Sequence, residues 1–219
     1  MRFNCASAGP AVERRFFGEA VSLPGTDIDG ALHMANRGTL VLDQVERFPQ
    51  PAQYELLNFL DTGVFSRIGS PDLCEVDVKI VALTARDLKS ASEGGLFLEQ
   101  LYYRLSRLEF VLPRLADRAD DVALLAQHFL TLCAARRPAP KGFDQLVMSL
   151  FKRYTWEGNV RELKNTVDSA ALLASTKPSV EMDDLPHKLA EYYRENQNLF
   201  AKDILSTLAE EERKSRRFK

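Results

Sequence analysis

Residues 76–85, VDVKIVALTA, constrain this chain more than any other stretch, because they are almost continuous in Val, Ile, Ala and Leu. Such a run predicts a strand buried on both faces, the habit of parallel sheets flanked by helices. A second apolar run, 39–42 (TLVL), leads straight into Asp43, so a buried strand would deliver a carboxylate at its carboxyl end. Shorter strands are expected at RFNC (2–5) and at LEFVLP (108–113), the latter ended by Pro113. Helical stretches alternate with them. AVERRFFG is stopped by Gly18, GALHMAN is brief, and LFLEQLYYRLSR precedes the last strand. PAQYELLNFLDTG carries Tyr54, Leu57 and Leu60 on a helical period, with Pro51 near its start and Gly63 past its end. Residues 19–29, EAVSLPGTDID, read as a loop. The alternation predicts an α/β fold with a parallel sheet and crossover helices.

Beyond residue 117 the pattern changes to three amphipathic helices, DDVALLAQHFLTLCAARR, FDQLVMSLFKRY and NVRELKNTVDSAALLAS. The expected organisation is an α/β subdomain over 1–117, a small all-α subdomain over 118–178 and a polar helical extension over 179–219. That extension closes on RKSRRFK, read as a solvated helix end in preference to a nucleic-acid contact. With 29 basic and 31 acidic residues, the chain has no global field that argues for nucleic acid or membranes. Cys5, Cys74 and Cys133 are too scattered for a disulfide framework, and His33, His128 and His187 have no ligand spacing. His128 reads as a packed or surface residue. No apolar run approaches the roughly 20 residues that span a bilayer. A soluble, cytoplasmic chain with no metal site of its own is expected.

Several motifs stand in one order: FFGE, GTLVLDQV, VKIVALTARDL, LEQLYYRLSRLEFVLPRLADRADDVALLAQHFL and YTWEGNVRELKN. Together they resemble the central AAA+ domain of bacterial sigma-54-dependent transcriptional activators, the enhancer-binding proteins, over residues 3–175. The resemblance implies an AAA+ core followed by a helical lid. ATP hydrolysis in such a domain requires a phosphate cradle whose backbone N–H groups and Lys hold the phosphates. None of the eleven glycines here is followed by Lys. The family's cradle lies before the segment that matches RFNC, so the central strand of the family sheet is expected to be missing. That strand would lie between 76–85 and 108–113, and its loss leaves two inner edges to be closed. Direct pairing of the two strands, a donated strand and marginal folding are the three outcomes to be told apart.

The resemblance carries over residue by residue. Asp43 matches the metal-side carboxylate. Gln44 stands where the family has the Glu that activates water, and an amide cannot accept the proton. Asn4 matches the Asn that holds this Glu. Leu83, Thr84 and Ala85 stand where the family has Ala-Thr-Asn, so the Asn that senses the γ-phosphate is replaced. Leu98 and Arg104 fall at the two arginine-finger positions, and Arg161 in GNVREL matches the lid arginine. A remnant nucleotide site of Asn4, Asp43, Thr84 and Arg161 follows, with Arg104 offered in trans to a neighbour. Each retained residue also has a structural alternative: Asp43 capping or hydrogen-bonding at the end of its strand, Arg104 paired with an acidic neighbour such as Glu99, Arg161 holding Glu157.

No ATP or Mg²⁺ cofactor is expected on this reading, and the implied protein is a degenerate, catalytically inactive member acting in transcription regulation through ring-type protein contacts. The alternatives are an ATP-dependent activator domain that takes phosphate contacts from another segment or chain, and a truncated fragment. The family engages sigma-54 through a Gly-Ala-Phe-Thr-Gly-Ala loop. The matching region, EAVSLPGTDID, has no Phe-Thr pair. Homo-oligomers or mixed assemblies with an intact AAA+ activator are the expected partners. Direct DNA binding is not, because no turn followed by a basic recognition helix can be read after Gly158.

Overall fold

A computed structural model describes residues 1–6, 11–21 and 27–200, and the chain divides into two units, Met1–Phe110 and Val111–Lys219. The first unit begins with β1 (Arg2–Asn4), α1 (Val12–Phe17), β2 (Gly18–Glu19), β3 (Ile28–Asp29), α2 (Ala31–Met34) and β4 (Gly38–Asp43). It continues with α3 (Gln50–Thr62), β5 (Val64–Ser66), β6 (Leu73–Glu75), β7 (Val78–Leu83), α4 (Leu88–Glu93) and α5 (Glu99–Leu105). β1 and β7 both pair in parallel with β4, giving a three-stranded sheet of order β1-β4-β7. The expected parallel sheet is therefore present.

One face of that sheet is dry. Phe3, Leu40 and Leu42 are buried, with Ile80 and Ala82 packed against them, under Val12, Phe16 and Phe17 of α1 and Ala52, Leu56 and Phe59 of α3. Phe16 meets Phe3 and Phe48 edge-on, with ring centroids 5.1 Å and 5.0 Å apart, the arrangement that aromatic quadrupoles favour. Strand alternation sends Arg2, Asn4, Thr39, Val41, Asp43, Lys79, Val81 and Leu83 to the other face. There Val81 and Leu83 are 38% and 41% exposed. Burial on both faces of residues 76–85 is thus corrected: β7 alternates, half-buried on one side and exposed on the other.

Residues 108–113 also depart from expectation, since they form no strand. Leu108, Phe110, Val111 and Leu112 are 74%, 78%, 83% and 86% exposed. An apolar run becomes a strand only where a ladder partner takes its N–H and C=O groups, and among the described residues β7 pairs with β4 alone. Direct pairing of the two expected strands is not what the chain does.

α3 starts at Gln50 with a Pro in its first turn and ends on Gly63 in the left-handed region (φ 79°), as its punctuation predicts. Its buried stripe is Ala52, Gln53, Leu56 and Phe59, however, and Tyr54 is 56% exposed. The period through Tyr54, Leu57 and Leu60 traces the rim of the buried face. Gln53 accounts for part of the shift. Its amide donates to the Phe48 carbonyl (2.7 Å) and accepts from the Leu98 N–H (2.8 Å), so a polar side chain is satisfied inside the core. The loop expected at 19–29 contains a short antiparallel pairing of β2 with β3, and residues 22–26 lie outside the described residues. β5 and β6 form an antiparallel hairpin that the sequence reading did not anticipate.

The second unit carries α6 (Ala119–Ala134), β8 (Gly142–Phe143), α7 (Gln145–Arg153), α8 (Asn159–Leu173), β9 (Ser179–Val180) and α9 (His187–Glu195). The three expected helices are α6, α7 and α8. Val122, Ala126 and Leu130 of α6, Val147, Leu150 and Phe151 of α7, and Leu163, Val167 and Ala170 of α8 form one buried cluster. Trp156 is 1% exposed within it, and its indole N–H donates to the Phe151 carbonyl at 2.7 Å. Val180, Leu185, Leu189 and Phe200 belong to the same cluster. The basic tail RKSRRFK lies outside the described residues.

Candidate functional site

The carboxyl ends of β1, β4 and β7 fall side by side, because Asn4 is in register with Asp43 and Asp43 with Leu83. That is where ligands meet parallel α/β sheets. Asn4, Asp43 and Thr84 are accordingly brought to one end of the sheet. Gln44 follows Asp43 in the left-handed conformation (φ 58°, ψ 52°) and opens the short helical turn Val45–Arg47. An Asn-like φ is uncommon for such a side chain and marks a forced corner.

Asp43 is not a free carboxylate. Its Oδ2 lies 2.6 Å from Arg2 Nη2, with the Asp43 side chain 21% exposed and that of Arg2 65%. Arg2 stands two residues before Asn4, so the β1–β4 register places it diagonally across from Asp43 on the same open face. Asn4 Oδ1 accepts from the Ala6 N–H at 2.9 Å. The Thr84 hydroxyl donates to the Arg86 carbonyl (2.9 Å) and accepts from the Arg86 N–H (3.0 Å), closing a turn on its own backbone. Asp87 then caps α4 by accepting from Lys89 N–H at 2.9 Å. The hydrogen bond from Ser90 holds the Asp87 carboxyl below its ordinary range.

Just past β1, Cys5 is buried, and burial pushes its thiol up to about 12, with the negative charges of Asp43 and Glu46 adding to the effect. One Glu46 carboxylate oxygen is buried with no hydrogen-bond partner. Neither Arg2 nor Glu46 was singled out in the sequence.

Arg104 is engaged elsewhere in the first unit. Its Nε lies 3.1 Å from Asp61 Oδ1, and its Nη2 donates to the Leu60 carbonyl at 2.6 Å. Arg104 is thus paired with an acidic neighbour, and that neighbour is Asp61 and not Glu99, because Asp61, at the end of α3, lies beside the Leu60 carbonyl that the same guanidinium reaches. Leu57, Asp61, Gln100, Tyr103, Arg104 and Arg107 line a shallow groove of about 340 Å³ there. Leu98, at the other finger position, is the residue before α5 whose N–H bonds to Gln53.

In the second unit Arg161 sits on the first turn of α8, exposed, and lines a groove of about 370 Å³ with Gly158, Glu162, Asn165, Thr166, Ser169 and Pro186. Glu157 does not hold it. Lys188 takes Glu157 (3.4 Å) and Glu162 (3.3 Å) instead. His128 is exposed and touches the Phe129 ring.

At this end of the sheet the polar groups are already engaged within the chain. The one carboxylate offered for the cation is neutralised by a guanidinium at 2.6 Å, the nearby threonine hydroxyl is closed on its own backbone, and the amide of Gln44 cannot serve as a base. Among the described residues no group of three or more His, Cys, Asp and Glu is arranged to hold a metal, and no helix is long and apolar enough to cross a membrane.

A family model described as Sigma-54 interaction domain matches residues 1–111, and another described as AAA+ ATPase lid domain matches residues 116–202. The regulatory protein AtoC of Escherichia coli K12 is 36% identical over 194 residues, which cover 86% of this chain and 42% of that protein. The DNA-binding transcriptional regulator NtrC of Azospirillum brasilense is 44% identical over 146 residues, covering 67% of this chain and 30% of that one. The crystal structure of NtrX from Brucella abortus in complex with ATP superposes with a TM-score of 0.80 at 30% identity, covering 88% of this chain and 43% of that chain. The chain thus spans less than half the length of these relatives.

Proposed function

From its membership of the sigma-54 interaction domain family, to which this chain belongs with an AAA+ lid following, we propose a degenerate AAA+ protein that acts in transcription regulation through protein contacts and does not hydrolyse ATP. The observation that carries this reading is the Arg2–Asp43 ion pair at the carboxyl end of the sheet, beside Gln44 in place of a general base. Positioned charges around the phosphates supply most of the catalysis in such sites, and here one charge is cancelled and another replaced. Arg104, held against α3 by Asp61, is the group offered to a neighbouring subunit in a self-assembly or a mixed assembly with an intact AAA+ activator.

The test is ATP turnover, measured on the chain alone and mixed with an intact activator. The chain alone should turn over no more than a blank, and Asp43→Asn should change nothing. Arg104→Ala should lower the rate of the mixed assembly. Turnover by the isolated chain that Asp43→Asn abolishes would overturn the inert reading, and an unchanged mixed rate would remove the role of Arg104.

A second reading is favoured by the ATP-bound NtrX structure: an ATP-dependent activator domain whose phosphate contacts come from another segment or chain. It predicts turnover that appears once those contacts are supplied and still depends on Asp43.

A further inference from the structure

α3 and α5 pack side by side, and each turns a stripe outward at the same spacing. On α3 the stripe is Tyr54, Leu57 and Asp61; on α5 and the turn after it, Gln100, Tyr103 and Arg107. Leu57 is half-buried, and the two tyrosines are 56% and 62% exposed. Between the stripes lies the groove of about 340 Å³. It holds charges of both signs, unequally used. Arg104 gives Nε to Asp61 Oδ1 and Nη2 to the Leu60 carbonyl, so it is tied to α3 of its own chain. That pair leaves Asp61 Oδ2 outside it, on a side chain 53% exposed. Arg107, on the same groove, is exposed and makes no ion pair or hydrogen bond among the described residues.

A surface with a free cation and a half-used carboxylate is complementary to itself under a two-fold rotation, which brings residue i of one copy to j of the other and j to i. We propose that two copies of this chain pair through the α3–α5 groove, with Arg107 of each copy on Asp61 of the other and Tyr103 of each buried in the contact. Exposed aromatic rings and arginines are the residue types that anchor interfaces. The rings supply the burial and the ion pairs fix the register, because exposed ion pairs contribute little by themselves. Arg104 lines the same groove, so this pairing and the presentation of Arg104 to an activator exclude each other. The inference shares with the proposed function only its premise of protein contacts.

The experiment is sedimentation equilibrium of the full chain. It reads mass and not ATP turnover, so its failure is separable from failure of the inert reading. Wild type should form a dimer that salt weakens, since the cross-pairs lie near solvent. Arg107→Gln removes both cross-pairs and should weaken the dimer about fivefold, and Tyr103→Ser should weaken it by about tenfold or more. Arg107→Glu and Asp61→Lys each set like charges against each other and should be monomers when examined singly. Mixed in equal amounts they should pair about as tightly as wild type, because Glu on Lys and Arg107 on Asp61 restore both contacts. Misfolding of either variant cannot produce that recovery. The proposal is overturned if wild type stays monomeric, if Arg107→Glu dimerises as wild type does, or if the mixture pairs no better than its components.

Discussion

The two units face the same demand, that buried N–H and C=O groups be paired, and meet it differently. The helical unit satisfies its backbone within each helix, so α6, α7 and α8 need only bury apolar stripes against one another around Trp156. The sheet unit passes that demand outward, because every parallel strand hands unpaired groups to the next. Among the described residues β7 ends the series with one side paired and with Val81 and Leu83 exposed on one face. A helical core can close locally, whereas a parallel sheet is complete only when both faces and both edges are provided for.

The sharpest way to break this comparison is Trp156→Ala. Loss of a fully buried indole and its hydrogen bond should cost about 3–5 kcal/mol, seen as an early loss of helical signal in urea unfolding. If the units are separately closed, Cys5 in the first unit should stay protected from thiol reagents through that early transition. Simultaneous exposure of Cys5 would show one cooperative body. Next comes Gln53→Ala, which orphans the Phe48 carbonyl and the Leu98 N–H in the first core. About 1–3 kcal/mol is expected, with faster labelling of Cys5 as the readout, while the helical unit's transition stays where it was. The smallest effect should come from Leu83→Ser and Leu112→Ser, on surfaces 41% and 86% exposed. Each should change stability by less than about 0.5 kcal/mol. A much larger loss in either would mean that these residues are covered in solution, by a second copy or another partner, and the contrast between open and closed units would dissolve.

Much of this contrast was legible from local signals. α3 was marked by a Pro in its first turn and Gly63 after its end, and the lid helices by their apolar periods, because caps and periodicity act within a few residues. Residues 108–112 were misread as a strand for the complementary reason: apolar content is local, but a ladder partner is not. The site divides the same way. Asp43 and Gln44 were readable at the end of a strand, and Asn4 and Thr84 by resemblance. Arg2 and Asp61 were not, since each acquires its partner through packing across about forty residues of chain, and ion pairs leave no local periodicity. Once β1 is set beside β4 with Asn4 opposite Asp43, the two-residue period of a strand brings Arg2 onto Asp43's face.

The strand register also fixes a timetable for a chain emerging from the ribosome. Arg2 is in register with Val41, and Val41 with Val81. β4, which pairs with β1, follows it by about forty residues, and β7, which pairs with β4, follows by as many again. Through that interval the sheet that carries the Phe3, Leu40 and Leu42 side chains is unfinished.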